Sequence, residues 1–294
     1  MASQSGGRRW LGYALVTTVA WGLWGALSNL PARHGFPDTL TYVVWSITML
    51  LPATYVRRRE GRAVAFDPRS LPLGLTIGVT GAGGVILLFP TLSMGPSYLI
   101  FPIISLAPVV TIALSATFLR ERTGRVGVVG IALALAALPL LNDWAPGAGA
   151  AHLGPWFFLS LTILLAWGVQ NYFIKIAHQS MSTGMIFSYM TLGGLLLVPV
   201  ALARTNWHAP INWGPGGPLL SAGIQLLNAM GSLSLVYALR DGKAMVVSAL
   251  TNAASPLLTA LVAMAIAGEV PGPFKLLGIG LAVGAAGLLA IEGE

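Results

Sequence analysis

A chain of 294 residues in which 55% are hydrophobic and only 9% are charged falls far below the roughly 25% charged residues of an average soluble domain. That balance excludes an ordinary water-soluble enzyme and points to an all-α integral membrane protein. No cysteine is present, which excludes disulfides and thiolate metal sites, while the net charge of +7 is distributed as membrane topology and not as a nucleic-acid footprint.

A helix crosses the hydrocarbon core with about 20 apolar residues at roughly 1.5 Å each, and ten such stretches follow one another along the chain. The first, Gly12–Ala32, is preceded by Arg8 and Arg9. It is too long for a secretory signal and lacks a small-residue cleavage site, so it is read as a retained helix. Thr17, Trp21, Trp24 and Ser28 recur along it at i, i+4, i+7 and i+11 and therefore share one face. The second stretch, Asp38–Val56, carries Trp45. Leu71–Leu92 follows, and Ser97–Leu119 contains Pro102 and Pro108. Gly124–Asn142 completes the first five.

The sixth stretch, Pro155–Ala177, places Trp167, Gln170, Asn171 and Lys175 on one face. Ser182–Ala203 follows, then Gly217–Leu239 with Gln225, Asn228 and Ser232. Ala244–Gly268 aligns Ser248, Thr251, Asn252, Ser255 and Thr259, and it also contains Pro256. The tenth, Pro273–Ile291, has Gly280 and Gly284 at the small-xxx-small spacing that permits close helix contact within a monomer or across a homodimer. Pro102, Pro108 and Pro256 are hinge candidates, because a proline inside a helix deletes a backbone hydrogen bond. Static bends used for packing are the equal alternative.

With both termini cytoplasmic, thirteen Lys and Arg residues lie inside and only Arg33, Arg204 and Lys275 outside. This is a strong positive-inside bias, and the opposite orientation would invert it. Trp10, Trp144, Trp156, Trp207 and Trp213 fall at expected membrane interfaces, where amphipathic rings anchor helices. Trp21, Trp24, Trp45 and Trp167 fall deeper.

The chain also repeats itself. AWGLWG at Ala20–Gly25 and AWGVQN at Ala166–Asn171 begin 146 positions apart. Gly95-Pro96-Ser97 corresponds to Gly242-Lys243-Ala244, and Pro108 precedes Glu121 by the same 13 positions that separate Pro256 from Glu269. Landmarks in the same order indicate a duplicated five-helix unit, 1–144 and 145–294. Because five is odd, successive units enter the membrane from opposite sides, so the expected fold is ten transmembrane helices as two inverted five-helix repeats.

The paired segments SLAPVVTIALSATFLRERTGRVGVVGIALALAALPLL and NAASPLLTALVAMAIAGEVPGPFKLLGIGLAVGAAGLLAI each hold a central proline, a terminal glutamate and a glycine-containing next helix. In this pattern the chain, from about Gly12 to Ile291, resembles the EamA-type, ten-helix branch of the drug/metabolite transporter superfamily. The resemblance implies a multi-pass carrier in the bacterial cytoplasmic (inner) membrane, often exporting amino acids, with relatives that move sugars, nucleotide sugars, or choline and other cations. The fourth stretch carries Tyr98, Phe101 and Pro102 in place of the Asn-Tyr-Leu-Trp-Pro pattern associated with aromatic-amino-acid exporters.

Polar side chains in a membrane helix face the bundle interior or a wet cavity. The expected substrate-binding set is Trp21, Trp24, Ser28, Trp45, Trp167, Gln170, Asn171, Gln225, Asn228, Thr251 and Asn252. An unpaired amide in hydrocarbon costs several kcal/mol, which favours the Asn and Gln members. The hydroxyls of Ser248, Ser255 and Thr259 serve equally well as interhelical glue. None of the nine acidic residues lies at the middle of a stretch, which disfavours a deep carboxylate proton relay. Lys175 sits where its stem can snorkel to the cytoplasmic interface or attract an anion.

His34, His152, His178 and His208 form no pair at metal-ligand spacing. No metal and no cofactor is expected, and no nucleophile–base pair supports an intramembrane enzyme. Neither a continuous polar path nor a ring of charges supports a channel. The sequence therefore reads as a carrier of a small neutral or zwitterionic metabolite, with a sugar or a quaternary cation as the alternative and the lipid bilayer as its surroundings.

Overall fold

The computed structural model describes residues 9–61, 70–94, 100, 103–104, 106–141, 154–267 and 272–292. Among these residues every regular element is helical. In chain order they are α1 Arg9–Leu27, α2 Leu30–Arg33, α3 Asp38–Thr48, α4 Leu50–Glu60, α5 Leu71–Met94, α6 Ala107–Phe118 and α7 Arg125–Leu141, then α8 Pro155–Ala177, α9 Thr183–Leu196, α10 Val198–Arg204, α11 Leu220–Asp241, α12 Ala244–Ala267 and α13 Pro273–Glu292. A short π-turn, Pro215–Leu219, leads into α11.

Six helical units are long and apolar enough to cross a membrane: Arg9–Arg33, Asp38–Glu60, Leu71–Leu88, Pro155–Ala177, Thr183–Arg204 and Pro215–Asp241. Shorter apolar helices, Ala107–Phe118, Arg125–Ala137, Ala244–Thr259 and Leu276–Leu289, accompany them. Large apolar side chains such as Leu15, Val19, Phe158 and Leu277 point outward, as they must where the surrounding medium is hydrocarbon.

The second and seventh stretches are not the continuous helices that composition suggests. α3 meets α4 at Met49, and α9 meets α10 at Leu197. Each break lies just before a proline, Pro52 or Pro199, and the two prolines are 147 positions apart. A proline cannot donate to the carbonyl four residues back, so Thr48 and Leu195 lose their helical donors and the units break there. The signal was present in the sequence at the same offset as the other landmarks.

Packing crosses between the two halves of the chain. α1 lies on α11 and α12, while α8 lies on α5 and α6. α7 pairs with α13, and α6 touches α12. Glycine makes the first of these contacts close: a Cβ on Gly22 would overlap Leu258 of α12, and one on Gly168 would overlap Val110 of α6. At these crossings Thr259 Oγ1 donates to Gly22 O at 2.9 Å, and Thr111 Oγ1 donates to Gly168 O at 3.0 Å. The donors are 148 positions apart and the acceptors 146. Thr259 is thus interhelical glue, one of its two expected roles.

Pro108 sits in the first turn of α6, where a missing N–H removes no bond within that helix. Pro256 lies within α12, which continues through it; Pro102 lies outside the described residues. Gly280 and Gly284 would meet nothing within 4 Å if given a Cβ, so among the described residues they mediate no packing within the monomer. Trp10 and Trp156 are buried, whereas Trp207 and Trp213 are more than half exposed.

Candidate functional site

Trp21 and Trp167, the tryptophans of the two AWG triplets, do the same thing in different places. Trp21 Nε1 donates to Asn228 O on α11 at 3.3 Å, with its ring laid against Gly231. Trp167 Nε1 donates to Gly81 O on α5 at 3.3 Å, with its ring against Gly84. Both acceptors and both glycines are 147 positions apart. A helix carbonyl already holding its own N–H has a second lone pair, and a glycine three residues on leaves room for the indole to reach it. The triplet is therefore a docking device: its tryptophan binds a helix of the other half, and its glycine admits the next helix.

The residues after each triplet diverge, and so do their contacts. Trp24 Nε1 donates to the side-chain oxygen of Gln225 at 3.0 Å. Trp45, arriving from α3, donates to Asn228 Oδ1 at 2.8 Å, and Ser232 Oγ reaches the same oxygen at 3.5 Å. Three tryptophans from α1 and α3 thus converge on two amides of α11. Gln225 and Asn228 are 4% and 9% exposed, and their i, i+3 spacing puts them on one helix face. Asn228 is at the centre of the unit Pro215–Asp241, and Trp21 at the centre of Arg9–Arg33.

On the other side, Gln170 Nε2 donates to Ile77 O of α5 at 3.2 Å. Asn171 Nδ2 approaches Ser248 Oγ at 3.4 Å, and Asn252 Nδ2 donates to Ser248 O at 3.0 Å. Trp167 and Gln170 therefore turn towards α5, while Asn171 joins α12. Ser28 and Thr251 satisfy their hydroxyls on their own helices, through Gly25 O and Val247 O. Thr17 bridges α1 to Gly231 O at 3.1 Å. The expected set thus separates into an indole–amide cluster on α1, α3 and α11, a scaffold contact on α8 and α5, and a small amide–serine group on α8 and α12.

Periodicity could not reveal Gly81, Gly84, Ile77 or Gly231 as partners, because main-chain carbonyls leave no composition signal. The offset of 147 between Gly84 and Gly231 is legible only once the contacts are known.

One end of the bundle is tied by charged side chains at helix termini. Glu121 accepts from the N–H groups of Ala244 and Met245 at 3.1 and 3.2 Å, capping α12. The turn that brings it there passes through Arg120 at φ 53°, a left-handed conformation costing a non-glycine residue about 1 kcal/mol. Glu60 likewise accepts from Gly184 N–H at 3.0 Å and from Ser182 Oγ at 2.6 Å, at the start of α9. A carboxylate there complements the positive helix end. Lys175 Nζ donates to Gly242 O at 2.6 Å, so its stem carries the ammonium to the end of α11, which it caps. His178, at the same end, donates from Nε2 to Val236 O at 2.9 Å. Burial pushes its pKa from 6.5 down to about 4, helped by the charges of Arg240 and Lys175 and opposed by the Val236 bond and Asp241.

Among the described residues no group of three His, Cys, Asp or Glu could hold a metal. An open apolar groove of about 450 Å³ runs past Leu27, Leu220, Ile224 and Leu227. Its lining has no polar side chain and does not coincide with the amide cluster.

A model of the EamA-like transporter family matches the chain twice, over residues 8–142 and 154–291. No curated protein matches. One solved crystal structure superposes with a TM-score of 0.76 at 18% identity, covering 94% of this chain and 97% of its own, a likeness in fold. The two family matches and the apolar helical units describe a multi-pass membrane protein with a transporter architecture. The chain belongs to the EamA-like transporter family.

Proposed function

We propose that this chain is a secondary carrier that moves a small neutral or zwitterionic metabolite, in the export direction, across the bacterial cytoplasmic membrane by alternating access. Ten spans in two inverted five-helix repeats, with both termini cytoplasmic, make up the carrier. It works without a cofactor or covalent chemistry.

The observation that carries this reading is the matched pair of crossings. Trp21 to Asn228 O and Trp167 to Gly81 O are both 3.3 Å contacts, and Thr259 to Gly22 O and Thr111 to Gly168 O differ by 0.1 Å. Equivalent contacts between first helices and the third and fourth helices of the opposite repeat are what an inverted duplication requires. They support two interchangeable rigid bodies rocking about a site near the midplane. The position of Asn228 halfway along the unit Pro215–Asp241 supports a site at that depth.

Counterflow tests the reading. Purified protein in liposomes preloaded with an unlabelled metabolite should transiently concentrate the same labelled metabolite from outside, without an ion gradient. A channel equilibrates and never overshoots. Passive equilibration of every candidate, with folded protein in the vesicles, would refute a carrier.

A further inference from the structure

Gln225 and Asn228 carry more information than their position. A primary amide has an accepting oxygen and a donating NH₂, and the two ends are otherwise interchangeable in shape. An indole N–H can only donate. Trp24 must therefore face the oxygen of Gln225, and Trp45 that of Asn228, at the 3.0 and 2.8 Å separations found. The hydroxyl of Ser232 adds a second donor on the Asn228 oxygen at 3.5 Å. Both amide nitrogens are turned away from the tryptophans as a result.

Neither nitrogen has an acceptor among the described residues. Both residues are more than nine-tenths buried, yet neither nitrogen is among the fully enclosed unpaired atoms, which include Thr18 Oγ1 and Ser221 Oγ on the same two helices. Each NH₂ therefore keeps some accessible surface of its own. Gln170 and Asn252 are oriented the opposite way, because their nitrogens donate to the carbonyls of Ile77 and Ser248. Among the five amides of the polar stripes, Gln170, Asn171, Gln225, Asn228 and Asn252, only the α11 pair leaves its NH₂ groups without a protein acceptor.

We propose that Gln225 and Asn228 are the residues that recognise the transported molecule, that they bind a carboxylate on it, and that Trp24 and Trp45 hold their amides in the donating orientation. This rests on the carrier reading above and deepens it. Two NH₂ groups at i, i+3 match the two oxygens of a carboxylate, which accepts only. No aspartate or glutamate lies in the middle of any span to repel it. A quaternary or protonated ammonium group offers no lone pair to these donors, and the single hydroxyl of choline cannot match both as a carboxylate does; a site built for hydrogen bonding rejects analogues lacking the partner strongly. Trp24 and Trp45 act through the amides and are positioning residues.

Counterflow in proteoliposomes, with a panel of labelled neutral amino acids, their decarboxylated amines, choline and glucose, tests the inference. The expected result is transport of at least one amino acid, with its amine and choline at least tenfold slower. Asn228→Asp and Gln225→Glu, which replace the NH₂ with an oxygen of similar size, should lower that transport at least tenfold at pH 8. Both variants keep the oxygen that Trp45 or Trp24 needs, and size-exclusion chromatography and thermal melting check that they fold. If one does not fold, the other variant and the wild-type comparison of acid with amine decide the matter. An amine carried as fast as its amino acid, transport confined to choline or glucose, or wild-type rates in a folded variant would overturn the inference and leave the carrier reading standing. Silence across the whole panel would overturn both.

Discussion

The contact of α1 with α11 and that of α8 with α5 start from the same three residues and end with opposite chemistry. In each, a tryptophan donates to a main-chain carbonyl and lies on a glycine. One turn further, Trp24 donates to the side chain of Gln225, whereas Gln170 gives its own NH₂ to Ile77 O. The first arrangement leaves an amide donor without a protein partner; the second leaves an amide oxygen and closes the gap with main chain. A duplicated scaffold thus keeps its docking layer in both copies while the adjoining layer is free to specialise in one.

The largest effect should come from the docking layer. Gly231→Leu and Gly84→Leu each drive a side chain into an indole ring, and overpacking of this kind costs about 3 kcal/mol. Both should lower the thermal unfolding temperature of the detergent-solubilised protein by similar amounts. Tolerance of one and not the other would break the equivalence of the two contacts.

Next are the residues at which the contacts diverge. Trp24→Phe leaves a buried amide oxygen unpaired, at about 1–3 kcal/mol, and frees Gln225 to rotate. Transport measured by counterflow should fall about tenfold while the protein still folds. Gln170→Leu should cost about 1 kcal/mol and spare transport by comparison. Equal transport defects would show that both layers contact substrate. Asn171→Ala and Trp24→Ala should likewise impair transport more than folding, and normal kinetics in both would remove them from the site.

Trp21→Phe and Trp167→Phe delete one hydrogen bond each without emptying the ring volume. Each should cost about 1 kcal/mol, and unfolding titrations of the two variants should agree closely. The smallest effect lies outside both contacts. His178 has a folded-state pKa of about 4 against 6.5, so the unfolded chain binds its proton first. Its contribution is intact above pH 6.5 and declines as pH falls towards 4. The melting temperature should drop across that window, less steeply in His178→Gln, while counterflow from pH 6.5 to 8 stays flat because no group in the amide cluster titrates.

Most of the helical architecture was legible in the sequence because apolar length and charge asymmetry act locally: a run such as Pro155–Ala177 has to be a helix in hydrocarbon, whatever surrounds it. The breaks at Met49 and Leu197 were also written locally, in Pro52 and Pro199, but apolar run length alone passes over them. The stripes on α1, α8, α11 and α12 were readable from helical period. Their partners were not, since period assigns a residue to a face and says nothing of which helix covers it. Trp167 and Gln170 had the same signature as a cavity wall, and they meet the backbone of α5 instead.

What the sequence by itself determined is the membrane-embedded class, the internal duplication and the residues able to form a polar site, because each follows from composition, period or offset. What only the tertiary structure decided is which of those residues meet one another and which meet main chain. An asparagine or glutamine in isolation offers a donor and an acceptor equally, and the end left for a ligand depends on whether its neighbour can only donate, as Trp45 does to Asn228, or only accept, as the Ile77 carbonyl does for Gln170. That choice is made by helices more than 90 positions apart in the chain, and no local pattern records it.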